Sequence, residues 1–144
     1  MPPAKKVDFE TEGVHIHLPE LTKKVSARRL PFGELSKMPG EPGGFQPKRG
    51  VINFELFDED APQKGLTKLP TEFTLRVRYT NADLEDARQT GRPLTLAYWY
   101  AGKWVRFTTE KHRFTLQPDS TPGTGGYGVA YITDWGDPPI SWGS

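Results

Sequence analysis

Residues 94–108 read LTLAYWYAGKWVRFT, two runs rich in aromatic and β-branched residues on either side of Ala101-Gly102. This is the pattern of a β-hairpin closed by a tight turn. A two-residue loop sets Tyr100 opposite Lys103, Trp99 opposite Trp104, Tyr98 opposite Val105 and Leu96 opposite Phe107. Because strand side chains alternate from face to face, Leu94, Leu96, Tyr98, Val105 and Phe107 then share one apolar face. Ala97, Trp99, Trp104 and Arg106 share the other. A two-residue turn needs φ > 0 at both central residues, which Ala101 resists. A three-residue loop with Gly102 as a left-handed bulge is the competing register, and it mixes the two faces. We prefer the first for its clean apolar face. Either register leaves large aromatics on both faces, so one of them needs a cover or a ligand.

The rest of the composition suits such a strand-and-turn protein. A chain of 144 residues is read as one domain,. Its hydrophobic content is only 35%, but 8 Phe, 5 Tyr and 4 Trp supply large buried areas per side chain,. Gly and Pro together make about a fifth of the chain, against about 12% in ordinary usage, which predicts many turns and few long helices,. A formal charge of +1 with mixed signs argues against a nucleic-acid partner,. No apolar run approaches the ~18–20 residues of a bilayer span, so membrane insertion is not expected. With no Cys there is neither a disulfide framework nor a thiol nucleophile,. Starting at Met1 without a signal-like apolar stretch, the chain reads as cytoplasmic; if Met1 is not the native start, an exported or cell-surface module fits equally.

In chain order, residues 1–13 are expected to be a flexible tail and 14–144 a single domain. Val14, Ile16 and Leu18 alternate with His15 and His17 in a half-buried strand that stops at Pro19. Residues 21–30 fit a short helix or an edge strand. The segment 31–50 holds nine Pro and Gly residues and predicts no regular structure, yet Phe32, Leu35, Met38 and Phe45 favour its wrapping over the surface rather than hanging free. Residues 51–57 and 71–79 are alternating strands, the second with Phe73, Leu75, Val77 and Tyr79 inward. An acidic loop over 58–65 separates them. Residues 82–89 form a short helix capped by Asn81 and ended by Gly91-Arg92-Pro93. Strands follow at 112–117 and 127–133, separated by turn chemistry at 118–126. The tail 134–144, DWGDPPISWGS, is expected to be extended, with Trp135 and Trp142 docking on the outer aromatic face of the hairpin.

Seven or eight short strands, one connecting helix and no βαβ alternation predict an all-β fold, an antiparallel β-sandwich of immunoglobulin-like or jelly-roll-like kind. A closed barrel has the same periodicity and stays open. Residues 71–117 resemble the immunoglobulin-like β-sandwich modules of large bacterial proteins. The likeness lies in an apolar strand ending at Tyr79, an acidic connector from Asn81 to Asp86, a strand with Leu94, Leu96 and Tyr98, a Gly turn and Trp104-Val105. It covers under half the chain and rests on hydrophobic spacing, and the Cys pair of antibody-type domains is absent. The resemblance implies a fold and a modular, non-catalytic habit, and carries no functional residue across.

Few constellations suggest chemistry. His15 and His17 leave one face of a strand, and with His112 as a third ligand would make a metal site; two polar residues facing water on an amphipathic strand is the simpler reading. GVHIHLPE starts like a cupin motif, but Glu20 comes too early and no second motif follows. Acidic groups occur at Asp58-Glu59-Asp60, at Asp83, Glu85 and Asp86, and at Asp134 and Asp137; a single sequence does not place them as glycosidase pairs, and the first two sets read better as a solvated loop and a helix start. Asn81 to Arg92 lacks the Gly and Glu of a calcium loop, and Gly123–Gly126 leads into no helix that would hold phosphate. No cofactor is implied.

The aromatic surface is the main functional signal. Trp99 and Trp104, with Tyr100, Arg106, Trp135 and Trp142 near, would contact another protein, further copies of the chain, or a polysaccharide. The competing reading has segment 31–50 or the C-terminal tail lying across them. The sequence therefore predicts a non-catalytic interaction or scaffold subunit working through its aromatic sheet face and Pro/Gly-rich arms, with a carbohydrate-binding module as the alternative.

Overall fold

A computed structural model describes residues 5–136 and 138–144 of the chain. The protein is an antiparallel β-sandwich, with eleven strands and two short α-helices among the described residues. The first sheet has the order β1 (Lys5–Phe9), β2 (Val14–Leu18), β6 (Lys68–Tyr79), β10 (Gly126–Asp134), β9 (Thr115–Pro118). The second runs β3 (Val25–Leu30), β4 (Pro47–Asp58), β11 (Ile140–Gly143), β7 (Thr95–Tyr100), β8 (Lys103–Arg106), with β5 (Ala61–Leu66) hairpinned onto β4. The helices are α1 (Asn81–Thr90) and the single turn α2 (Thr109–His112). Neither is long and apolar enough to cross a membrane.

The core forms where the period-two alternation of the longest strands turns apolar side chains inward. Phe73, Leu75, Val77 and Tyr79 of β6 lie beside Val14, Ile16 and Leu18 of β2, and face Ile52, Phe54 and Leu56 of β4 in one contiguous cluster. Each such side chain, fully buried, contributes roughly 1.5–3 kcal/mol. β10 brings small residues to the same interior, and this lets the largest one in. A Cβ on Gly128 would stand 2.6 Å from the Trp142 ring, so the indole from the opposite sheet rests on bare glycine backbone,.

The hairpin adopts the preferred register, with Tyr98 opposite Val105, Trp99 opposite Trp104 and Tyr100 opposite Lys103. Ala101 and Gly102 both take positive φ, 53° and 79°, the requirement of a primed two-residue turn. Sheet pairing across the whole of β7 and β8 outweighs the local strain at Ala101.

Several expectations are corrected. The tail assigned to residues 1–13 is ordered from Lys5 onward, because β1 pairs with β2 from Lys5–Leu18 to Phe9–Val14; residues 1–4 lie outside the described part. The acidic loop at 58–65 contains β5, a strand with too few apolar residues to show alternation. The expected strand at 112–117 begins only at Thr115, since Thr108 caps a helical turn by accepting from the Lys111 N–H. The cap of α1 is Thr80, one residue earlier than expected, in a reciprocal capping box with Asp83,. The largest correction concerns the C-terminal segment. Ile140–Gly143 does not lie on the outside but pairs on both sides, with β4 and β7, as an interior strand.

One ion pair ties α1 to the second sheet. Arg49 of β4 donates to both carboxylate oxygens of Asp83, at 3.0 and 2.7 Å. Burial by itself would raise the Asp83 pKa, but the Arg49 guanidinium and the Thr80 N–H outweigh it and hold the carboxyl below its ordinary value,.

Candidate functional site

The outer aromatic face of the hairpin exists, but the chain covers most of it. Residues 31–46 cross it, bringing Met38 and Phe45 into a satellite cluster with Ala97 and Trp104, with Phe32, Leu35 and Trp99 packed alongside. The Trp104 Nε1–H donates to the Met38 carbonyl at 2.6 Å, and the Phe45 ring lies 5.8 Å from the indole. Trp104 keeps 8% of its surface exposed. Trp99 meets it edge-on at 5.3 Å and is half-buried. Arg106 is exposed, its guanidinium 5.8 Å from the Phe45 ring centre. Tyr100, at the hairpin tip, is 64% exposed.

Two further residues expected on this face are interior. Trp135 stacks on Phe54 at 4.7 Å and donates to the Phe54 carbonyl. Trp142 packs against Tyr79 and Phe114 and donates to the Arg78 carbonyl at 2.9 Å. Of the six residues, Trp99 and Arg106 are what remains partly open on the outer face, because Tyr100 projects with Tyr98 to the opposite one,. Trp142 is interior for a topological reason: the strand that carries it is inserted between β4 and β7 rather than laid over them.

The three histidines do not converge. His15 and His17 share the outer face of β2 as expected. His112 sits in α2, its ring 4.8 Å from Phe107 and 6.0 Å from Tyr98. Among the described residues, metal-ligating atoms that gather within 4.8 Å of one another belong to Asp8, Glu10 and His15. His15 Nδ1 lies 2.6 Å from Asp8 Oδ1. Burial, then the nearby Lys6 and Arg76, depress the pKa of His17. Of the acidic groups, Asp60 pairs with Lys24, Glu59 with Lys5, Glu85 with Arg88 and Asp83 with Arg49. Asp134 is exposed, and Asp137 lies outside the described residues.

What the sequence reading missed is a cleft of about 760 Å³ at the ends of β7 and β10, bounded by α2 and by Trp135, Gly136 and Pro138. Tyr98 and Tyr100 reach it from β7, Tyr131 from β10, and Phe107, His112 and Trp135 from the connections. Its charged groups are Lys68, Glu72, Lys111 and Asp134. Tyr131 is held by Arg113, whose guanidinium lies 4.0 Å from the ring centre while bonding Glu72,. The Thr108 N–H donates to His112 Nδ1 at 3.3 Å. Burial, and secondarily Lys111, lower the His112 pKa, so the ring is neutral at pH 7,. The aromatic richness of 94–108 pointed to the outer face of the hairpin and left Tyr98 in the core set, so it did not mark this cleft. Tyr131 and His112 come from strands and turns distant in the chain, and no local spacing joins them.

Compared with protein-family models, with curated proteins and with solved structures, the chain has no match.

Proposed function

We propose that the protein is a non-catalytic interaction module whose contact site is the cleft at the ends of β7 and β10, with the tip of the 94–108 hairpin as its rim. The observation that carries this reading is the cleft itself, about 760 Å³ and framed by Tyr98, Tyr100 and Tyr131. That volume falls in the range of ligand sites, where mostly apolar walls combine with a few polar groups. A binding role also suits the way the ionisable groups are used. The cleft histidine is employed as packing against Phe107, and Glu72 is bonded to Arg113.

The test is shift mapping by amide NMR on the labelled full chain with a library of small organic fragments. Hits that move resonances of residues 67–68, 98–100, 107–112 and 131–136 are expected. Hits that cluster on another face overturn the site.

A second reading, contact with another protein or a further copy of the chain, is favoured by the exposed Tyr100 at the hairpin tip,. Light scattering across a hundredfold concentration range tests self-association. A constant monomer mass, unchanged in Tyr100→Ala, removes that form of it. The Pro/Gly-rich arm contributes little to either reading, since residues 31–46 lie across Trp104 of their own chain.

A further inference from the structure

Resting on the cleft as the binding site, we propose that its occupant is an extended acidic segment of another protein, added as a strand beside the Tyr131 edge of β10.

The backbone carries the argument. In an antiparallel ladder a residue turns its N–H and C=O to one side, and its neighbours in the strand turn theirs to the other. The Asp119 N–H donates to the Gly125 carbonyl at 2.9 Å. In the same register Tyr127 with Gln117 and Val129 with Thr115 are the hydrogen-bonded pairs, so Tyr127, Val129 and Tyr131 direct their main chain toward β9. The opposite side of the sheet agrees. The Arg78 N–H donates to the Gly13 carbonyl, so Arg78, Arg76 and Thr74 face β2. That leaves Val77, Leu75 and Phe73 to bond Gly128, Ala130 and Ile132 of β10. Tyr131 therefore faces the β9 side, where β9 has already ended. Its pairing stops at Val129–Thr115, and Arg113, with φ at 49°, turns the chain away. Among the described residues no other backbone group meets the Tyr131 main chain on that side. The cleft lies there, lined by Tyr131, Thr133 and Asp134, with α2 as its far wall. An unpaired strand edge is a template for another extended chain, and peptides commonly bind by adding to one.

Charge selects the kind of peptide. Glu72 is bonded to Arg113. Among the described residues, the unpaired charges of the cleft are then Lys68, Lys111 and Asp134. Both lysines are exposed, and this positive surplus is complementary to acidic side chains.

The experiment selects octapeptides from a random displayed library on the full chain and titrates synthetic copies into the labelled protein. The selected sequences should be rich in Asp and Glu, and should shift the Tyr131 amide and slow its exchange with solvent. N-methylating alternate peptide amides reads strand addition directly: one set should abolish binding and the other be tolerated. Lys68→Glu combined with Lys111→Glu, at exposed positions, should weaken binding about tenfold, the scale of two lost exposed ion pairs, with the unfolding transition unchanged. Cleft binders that are basic, or that ignore N-methylation, overturn the proposal and leave the cleft as a site. Failure to select any cleft-binding peptide does the same if the organic fragments still move cleft resonances. If the fragments miss the cleft as well, both readings fail.

Discussion

Two aromatic regions at one hairpin meet opposite fates. On the outer face, Trp104 is closed over by Met38 and Phe45 from the Pro/Gly-rich segment, with its indole N–H bonded to a carbonyl of that segment. At the end of the same strands, Tyr98 and Tyr100 border a cleft that no segment of the described chain fills. Residue type does not separate the two regions. What separates them is whether a connection long enough to cross the patch, and carrying apolar side chains of its own, leaves from a neighbouring strand. The segment between β3 and β4 satisfies both conditions, whereas α2 and the described residues Trp135, Gly136 and Pro138 stand at the walls of the cleft. Covered aromatics hold the fold together, and uncovered ones are available for contact.

The sharpest way to break this contrast is a matched pair of truncations. Trp104→Ala should lower unfolding stability by about 3–5 kcal/mol, the usual range for a buried Trp, as read from the urea midpoint. Tyr100→Ala should stay within about 0.5 kcal/mol, as for an exposed site. Equal costs would mean that the two regions are not different in kind. Removing the cover rather than the covered ring comes next. Phe45→Ala should cost about 2–3 kcal/mol, below the full core value because the site sits in a peripheral cluster that can partly collapse. It should also raise acrylamide quenching of tryptophan emission, and unchanged quenching would show that segment 31–46 does not shield Trp104.

The turn that places both regions gives a smaller effect of opposite sign. Ala101 holds φ at 53°, and Ala101→Asn should stabilise the protein by about 1 kcal/mol, since Asn accepts the left-handed region and Asn-Gly suits the primed turn. A neutral or destabilising result, measured by the same unfolding curves, would count against a two-residue turn in solution. The smallest effect is in pH. His112 resists protonation in the fold because it is buried, so below its unfolded pKa of about 6.5 the unfolded chain binds the extra proton. Its contribution is therefore complete above that pH and declines as pH falls toward the depressed folded value. His17 acts in the same direction, so His112→Phe should flatten the stability profile below about pH 6.5 only in part. An unchanged profile would place the His112 ring in solvent.

Strand alternation made much of the fold legible. The inward set Phe73, Leu75, Val77 and Tyr79, the alternation through 51–57 and the hairpin register all follow from the spacing of apolar residues, because a half-buried strand has no other way to hide them. Where apolar spacing was missing the reading failed, as at β5, whose sequence APQKGL carries no alternation. It failed differently at Trp142. A Pro-flanked terminal segment reads as a loop, and its place between β4 and β7 depends on two strands about 40 and 90 residues away,. The cleft was illegible for a related reason. Tyr98 looked like core and His112 like a strand residue, and each became a wall of the cleft only once α2 and β10 came together.

Local chemistry along the chain thus accounts for the class of the fold, the turn at Ala101-Gly102, the cap of α1 within a residue, and the prospect that an aromatic face would need covering. Those properties depend on near neighbours, whose geometry the backbone period and the preferences of Gly, Pro and Thr prescribe. Which aromatics were buried and which were left to frame a cleft was settled by long-range pairing, since a side chain's exposure depends on what another part of the chain lays against it.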